Sequence, residues 1–329
     1  EAIMRLRNFF FVWWAILASI GFASCGVPYS CSGGEAERIT IMSWNTQLFF
    51  DPYENGSEYA EFTGAKTRWS AEKYGTRLDR LREILYLAGE TGGKGPKGLP
   101  EIVVLQEIEN RTVLEDLCNR IGGNNRFVSS IFVDPEKGTA FGTGILSRLP
   151  VIEVRAHTID SGGVRVRPTV HCVFDCGGTR LHVFAVHWKS KGGSLESTAV
   201  RAAQEAQLAG LMASVIEAEP FALVVACGDF NQQTEEFTLL GEYASVWDSG
   251  LSQTFGPQGS YYYQGNWERI DNCFLSESLT DGDGWDFQEF TLLCEGPLLT
   301  EGAVPYRYEV FSGKGYSDHL PLLIGIKRM

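Results

Sequence analysis

Short apolar runs recur along residues 39–326, and each has the length of a single β-strand. Runs such as ITIMSW, EIVVLQ, LHVFAV and ALVVAC are rich in β-branched residues, which is typical of buried strands. Between them, residues 77–90 and 195–217 carry leucines and other apolar side chains at helical spacing. There is no internal repeat and no linker long enough to divide the chain. This alternation predicts a single α/β domain with much antiparallel pairing.

Polar side chains that can carry chemistry stand at one end of six of these runs. The four that follow a strand are Asn45, Glu107, His187 and Asp229, with Asn231 two residues further on; the two strands that open on polar residues begin with Asp271 and with the pair Asp318–His319. If these last two strands run antiparallel to the other four, all six polar ends meet at one edge of the structure. Each residue alone has an ordinary explanation as a turn, capping or solvated residue. Their occurrence together, each beside an apolar run, favours one shared site.

The composition of that edge restricts its chemistry. Carboxylates outnumber histidines, no GxSxG motif is present, and no cysteine lies beside these groups. An excess of hard oxygen ligands suits Mg²⁺ or Mn²⁺ better than zinc, and the absence of a CxxC motif argues against a structural zinc site. Such a cation together with acid–base side chains and amide donors indicates phosphoester hydrolysis.

Seven segments carry a family resemblance. They are SWN, LQEIEN, GTGILSRLP, FAVHWKSKGG, GDFNQ, ERIDNCFLS and YSDHLP. Together they resemble the endonuclease/exonuclease/phosphatase superfamily over about residues 39–326, and within it the exported bacterial nuclease-like members. GDFN combined with a terminal SDH is specific for this superfamily, whereas either motif alone is weaker. The resemblance implies an α/β four-layer sandwich, with two mixed β-sheets packed face to face and helices outside.

The resemblance also implies a metal site. Glu107 is expected to hold the divalent cation, Mg²⁺ or Mn²⁺, with Asn45 and Asp318 close to the cation or to the phosphate. Carboxylates beside a divalent ion stay ionised, which suits a ligand or a base.

The same resemblance assigns catalytic roles. Asp229 is expected to position or deprotonate the attacking water, and Asn231 to donate to the phosphate. His319, oriented by Asp271, is expected to contact the phosphate and act in acid–base work, while His187 protonates the leaving group. A histidine beside carboxylates gains stability for its charged form, so we expect its pKa to rise, which suits an acid. Which histidine is the acid and which is the base stays open.

The substrate is less sharply predicted. The net charge of −13 argues against broad, charge-driven wrapping of nucleic acid, but not against a polyanion held by metal and a local basic patch. Lys189, directly after the His187 strand, is the best candidate for substrate binding. Trp188, Trp267 and the tyrosines at 261–263 are candidates for stacking on bases, insertion into a lipid surface, or ordinary packing.

Three functions are therefore carried forward. The first is a metal-dependent nuclease, and the second a phosphodiesterase or phosphatase acting on a lipid headgroup or small phosphoester. The third is an exported binding protein that keeps the fold without turnover. No obligate protein partner is evident from the sequence.

The N-terminal residues predict export. Arg5 and Arg7 precede an apolar run that is short for a membrane-spanning helix, which needs about 20 residues. The run leads to FASC, which resembles a bacterial lipobox ending at Cys25, the candidate lipidation site. We therefore expect a signal or lipoprotein signal over residues 1–25, a tether over 26–38 and the catalytic domain over 39–329. The expected location is the periplasm or cell surface as a membrane-anchored lipoprotein, or secretion.

Overall fold

Two six-stranded β-sheets carry the site-forming residues. The computed structural model describes residues 38–63, 68–95, 98–123, 127–135, 139–192, 194–248, 252 and 256–329, which all belong to one compact unit. The first sheet contains, in spatial order, β13 (Trp285–Leu292), β14 (Leu322–Arg328), β1 (Arg38–Phe49), β2 (Ile102–Ile108), β4 (Gly142–Ser147) and β3 (Ser129–Val133). The second contains β5 (Val151–His157), β6 (Thr169–Cys176), β7 (Thr179–His187), β8 (Leu223–Asp229), β12 (Asp271–Leu275) and β9 (Ala244–Ser245). Two short strands, β10 (Tyr261–Tyr263) and β11 (Asn266–Glu268), form a separate hairpin.

Both sheets are mixed, and the strand directions bring the polar strand ends together. Strands β1 and β2 are parallel, as are β7 and β8. Strand β14 runs antiparallel to β1, and β12 runs antiparallel to β8. The antiparallel direction that the sequence analysis required for the polar ends to meet is therefore present for both strands. As a result the ends of β1, β2, β7 and β8 lie beside the starts of β12 and β14.

Three α-helices occur among the described residues, and each begins at a polar residue that caps it. They are α1 (Ala71–Thr91), α2 (Arg111–Ile121) and α3 (Leu195–Ala218). The side chains of Ser70, Asn110 and Ser194 accept hydrogen bonds from backbone N–H groups in the respective first turns. These caps satisfy donors that have no partner within the helix, and so fix where each helix starts.

The helices cover the outer faces of the sheets. One large apolar cluster joins side chains of both sheets, such as Val103 and Val183, with Leu81 of α1 and Leu114 of α2. A second cluster packs Leu208 and Met212 of α3 against Phe184, Val224 and Phe274 of the second sheet. The predicted α/β sandwich of two mixed sheets with helices outside is confirmed.

Some predicted features fall outside the described residues. Residues 1–37, including Cys25 and the candidate signal and tether, are not described, so these predictions stay predictions. In the part of the chain that is described, no helix has the length and apolar character needed to cross a bilayer.

Candidate active site at the convergent strand ends

Three site residues lie in register across the second sheet. His187 at the end of β7 lies opposite Asp229 at the end of β8, and Asp229 lies opposite Asp271 at the start of β12. Residues directly opposite each other on neighbouring strands are about 5 Å apart at Cβ and point to the same face. Sheet pairing therefore sets a histidine and two carboxylates in a row.

Gly228 allows the close packing that brings β8 against β7. Its φ of +146° lies in a region that L side chains rarely adopt, and a Cβ there would lie 2.0 Å from the carbonyl oxygen of Val186. Only glycine satisfies both conditions. The glycine of the GDFN segment thus places Asp229 beside His187.

The first sheet supplies Asn45 and Glu107 to the same cleft. The Asn45 amide donates from Nδ2 to Asp229 Oδ2 over 3.0 Å and to Glu107 Oε1 over 3.3 Å. Its Oδ1 accepts from the backbone N–H of Gln47 over 3.0 Å. Asn45 is therefore the link between the two sheets and holds two carboxylates toward one point.

The backbone at this edge departs from regular strand geometry. Positive φ angles occur at Gln47 (52°), Leu48 (50°), Glu107 (62°) and Asn231 (50°). Non-glycine residues in this conformation cost roughly 1 kcal/mol or more each and persist only where their surroundings hold them. Arg77, fully enclosed between the rings of Phe49 and Tyr308, donates to the carbonyl oxygens of residues 46, 47 and 48. This arginine stabilises the bent end of β1 on which Asn45 lies.

Asp271 and His319 form a tight buried pair. Asp271 Oδ2 lies 2.7 Å from His319 Nδ1 and also accepts from Ser260 Oγ over 2.6 Å. Burial of His319 opposes its charge, but the charge and hydrogen bond of Asp271, with help from Asp229 and Asp318, raise its pKa to about 10. His319 is therefore a cation at neutral pH.

His187 has the opposite electrostatic character. Burial, the charge of Arg167 and the charge of His319 lower its pKa well below the ordinary value. Its Nε2 lies 3.6 Å from Asp229 Oδ2 and 3.9 Å from Glu107 Oε1, while its buried Nδ1 has no hydrogen-bond partner among the described residues. The expected rise in pKa is correct for His319 and wrong for His187, because no carboxylate makes a short hydrogen bond to the His187 ring.

Asp229 lies between the two histidines. Burial and the Asp271 charge raise its pKa, against the opposing charge of His319. Its Oδ1 accepts from the backbone N–H of Asn231 over 2.9 Å, and the Asn231 side chain donates to the carbonyl oxygen of Trp188 over 3.2 Å. A carboxylate with a raised pKa in this position has the basicity required to take a proton from water.

The donor set fits a hard divalent cation on the Glu107 side. The Glu107, Asn45 and Asp229 side chains meet there, and the oxygens of the two carboxylates are the ligand type that Mg²⁺ and Mn²⁺ prefer. Ligand atoms of Asp229, Asp271 and His319 also lie within 4.8 Å of one another. In that second group, however, the hydrogen bond between Asp271 and His319 already uses Oδ2 and Nδ1. Both Glu107 oxygens likewise accept hydrogen bonds, from the Asn45 amide and from the backbone N–H of Leu48, so both groups offer candidate ligands for the cation.

Asp318 and Lys189 have looser relations to this cleft. Asp318 Oδ1 lies 4.0 Å from His319 Nε2, and the other oxygen lies 4.0 Å from Arg307. Lys189 makes backbone contacts, its N–H donating to Gln204 Oε1 over 3.0 Å, and its ammonium group makes no polar contact within the described part of the chain. Asp318 thus borders the site, whereas the geometry gives no specific place to the Lys189 charge.

Several neighbours of the site had no distinct sequence signal. Arg167 interacts electrostatically with Glu107, Asp229 and Tyr59, although nothing in the sequence distinguishes it from the other arginines. Tyr261 lies against His319 with ring centroids 4.6 Å apart. Trp188, a candidate for stacking, is 1% exposed and packs against Phe230, so it is a core residue.

The comparisons with known proteins agree with this architecture. The sequence matches the model of the Endonuclease/Exonuclease/phosphatase family over residues 40–328. No curated protein sequence matches the chain.

Three solved structures share the fold. An endonuclease/exonuclease/phosphatase family protein from Bacteroides thetaiotaomicron is 16% identical, with a TM-score of 0.56 over 89% of this chain and 99% of that one. D. rerio TDP2 complexed with a single-strand DNA product is 18% identical, with a TM-score of 0.53 over 88% and 98%. The human Nocturnin catalytic domain with a bound sulfate anion is 15% identical, with a TM-score of 0.56 over 89% and 94%. The family match spans nearly all of the described chain, and the protein belongs to the endonuclease/exonuclease/phosphatase family.

Proposed function

We propose that this protein is a divalent-metal-dependent phosphodiesterase that cleaves nucleic acid. Its family comprises divalent-metal-dependent phosphoester hydrolases. The observation that carries the proposal is the position of Asp229, a buried carboxylate with a raised pKa between a cationic and a neutral histidine. Hydrolysis of a phosphoester needs a base for water and a positive charge for the phosphate, and this arrangement supplies both.

Residues on the Glu107 side would hold the cation. Glu107 is the main ligand, with Asn45 and Asp318 near the cation or the phosphate. A bound Mg²⁺ or Mn²⁺ neutralises charge that develops on the phosphate oxygens. Asn45 keeps the Glu107 and Asp229 carboxylates close together, so that the ligand and the base act on the same phosphate.

The remaining residues act on water and phosphate. Asp229 orients the attacking water and accepts its proton. His319, held by Asp271, presents a positively charged N–H to the phosphate, and Arg167 adds a second positive charge near the carboxylates. The Asn231 amide has two N–H groups, of which one already donates to Trp188 and the other is available for a phosphate oxygen.

Nucleic acid is the substrate class that the available observations favour. D. rerio TDP2, which shares the fold, is complexed with a single-strand DNA product. The net charge of −13 favours a short contact with the substrate at the cleft over extended contact along a duplex. We therefore propose that the enzyme cleaves a phosphodiester bond in a single strand, or at a strand end, that enters the cleft.

One assay on one preparation tests this function. Chelator-treated protein is incubated with single-stranded DNA, plasmid DNA, sphingomyelin and a chromogenic phosphodiester, with and without added Mg²⁺ or Mn²⁺. We expect DNA cleavage that requires the added cation and is absent in Asp229→Ala. Cleavage of sphingomyelin or the small diester without DNA cleavage would transfer the assignment to a lipid headgroup or small phosphoester. If no substrate is cut, a non-catalytic binding role replaces the proposal.

We also propose that the chain is exported and anchored by a lipid at Cys25. The support is the order of Arg5 and Arg7, the apolar run and the lipobox-like FASC segment. Metabolic labelling with a radioactive fatty acid tests it: label should enter the wild-type protein and not Cys25→Ser. Equal labelling of both proteins, or none of either, would remove the lipid anchor.

A further inference from the structure

Three histidines outside the cleft lie together on the second sheet. The chain has five histidines, and two of them are His187 and His319. The other three are His157 on β5, His171 on β6 and His182 on β7. His171 lies opposite Arg155 and Phe184, and His182 lies opposite Val173, so the three imidazoles form a diagonal on one face of three neighbouring strands. This is the face against which α3 packs, since Phe184 belongs to the cluster that contains α3 side chains.

Two rings of this histidine trio already lie close enough to share a metal ion. His171 Nε2 lies 3.0 Å from His182 Nδ1, in a hydrogen bond that a shared ion would replace, and the two ring centroids are 5.2 Å apart. Two imidazole nitrogens bound to one tetrahedral Zn²⁺ at 2.0–2.1 Å are separated by about 3.3 Å, so a small movement admits an ion. The centroid of the His157 ring lies 6.1 Å from that of the His171 ring, on the edge strand β5, so the His157 ring has to turn toward the other two to complete a three-histidine site.

Hydrogen bonding leaves ring nitrogens of the trio unsatisfied. Nε2 of His157 and Nε2 of His182 are buried without a hydrogen-bond partner among the described residues. Burying a polar atom without a partner costs free energy, so packing alone is a poor reason to place three imidazoles here. Glu219 Oε2 lies 3.8 Å from His182 Nε2, on the side of the ring away from His171. Metal-binding histidines commonly have their second nitrogen directed at a carboxylate in this way.

We propose that His157, His171 and His182 form a binding site for a transition-metal cation such as Zn²⁺, distinct from the hard-cation site of the cleft. Neutral imidazoles select Zn²⁺, Ni²⁺ or Cu²⁺ over Mg²⁺ and Ca²⁺, which prefer oxygen ligands. Burial lowers the pKa of all three histidines, which keeps them in the neutral form that binds a metal. The nearby positive charge of Arg155 is offset by its ion pair with Glu153 at 2.6 Å.

Metal titration in excess Mg²⁺ tests the site, because Mg²⁺ occupies the hard-cation site and leaves the imidazoles unoccupied. Chelator-treated protein is titrated with Zn²⁺ by calorimetry and with Co²⁺ by visible absorption, where tetrahedral nitrogen ligation gives a distinctive band. We expect one equivalent to bind in wild-type protein and the thermal unfolding temperature to rise. His171→Gln and His157→Gln should each abolish or greatly weaken this binding. Glu219→Gln should weaken it by about 10–100-fold.

Two matched variants locate the bound ion. His187→Gln and His319→Gln also remove one histidine each, but from the cleft, and should retain full Zn²⁺ and Co²⁺ binding. Loss of binding in these variants with retention in His171→Gln would place the ion in the cleft and overturn the proposal, as would no binding in wild-type protein. His157 lies on an edge strand, so His157→Gln provides a folded test if His171→Gln fails to fold.

Discussion

The two buried histidines of the cleft, one on each side, have pKa shifts of opposite sign. His319 and His187 are 6% and 4% exposed, yet the pKa of the first is raised to about 10 and that of the second is lowered. The difference lies in the nearest group, since Asp271 contacts His319 at 2.7 Å whereas the carboxylates near His187 are at 3.6 Å or more. Burial alone disfavours the charged imidazole, and only a carboxylate in direct hydrogen bond reverses that effect. One side of the cleft is therefore cationic and the other neutral.

The largest expected loss follows removal of the group between the two histidines. Asp229→Ala should lower the rate of phosphodiester cleavage by about 10²-fold or more, because it removes the base for water. Steady-state kinetics with Mg²⁺ present measure this loss. Asp229→Asn keeps the size and removes the charge, and should lose a similar factor. Near-normal turnover by either variant would show that Asp229 is not the base. The difference in charge between His187 and His319 would then have no bearing on catalysis.

The next effect tests the cationic side directly. Asp271→Asn removes the charge that holds the proton on His319, so the pKa of His319 should fall. Activity that depends on protonated His319 should be lost in wild-type protein as pH rises through about 10. In Asp271→Asn the loss should occur at lower pH, and the rate at pH 7 should drop by about 10–10²-fold.

Ser260→Ala is the matched control for the cationic side. It removes one hydrogen bond to Asp271 Oδ2 while leaving the carboxylate charge in place. Its pH–rate profile should stay close to that of wild-type protein. If the profile of Asp271→Asn also stays unchanged, the charge of His319 has no part in turnover.

The sequence predicted the strand framework well because its signal is local. The apolar runs ending in Asn45 and Asp229 predict strands β1 and β8, and GDFN specifies the glycine that the packing of β8 against β7 needs. Strand β13 was missed because a bulge between Phe287 and Glu289 interrupts its alternation. The helix over 77–90 begins earlier, at Ala71, since the Ser70 cap adds a polar first turn that apolar spacing does not mark.

The electrostatics of the site could not be predicted from strand ends. The sign of the His187 pKa shift depends first on burial, then on the charge of Arg167 in the loop between β5 and β6, and on the absence of a short carboxylate contact. The Ser260 hydroxyl reaches Asp271 from the segment just before β10. Such contacts depend on tertiary packing between segments distant in sequence, so residue types at strand ends carry no information about them.

A smaller effect tests the neutral side. If His187 acts as a neutral hydrogen-bonding group, His187→Gln retains a donor of similar reach and should cost less than about 10-fold in rate. If His187 instead protonates the leaving group, the same variant should cost about 10²–10⁴-fold. The single-turnover rates of His187→Gln and wild-type protein decide between these outcomes. A large loss would support protonation of the leaving group by His187, which is the role that the family resemblance implies. The buried imidazole would then have to take up a proton during the reaction.

The smallest effect concerns the histidine trio, in which burial lowers the pKa of each imidazole as it does for His187. Burial, with the charges of neighbouring histidines and Arg155, lowers the pKa of His171 to about 3. Because the unfolded chain binds this proton more readily, the contribution of His171 to stability is present above about pH 6.5 and declines as pH falls below it. In chelator-treated protein, a fall in pH from 7.5 to 5.0 should lower the free energy of unfolding of both proteins, as measured with urea. The decrease should be about 1 kcal/mol smaller for His171→Gln than for wild-type protein. Equal losses would mean that the trio is charged or solvated in the folded protein, and that burial without a contacting carboxylate does not set its protonation state.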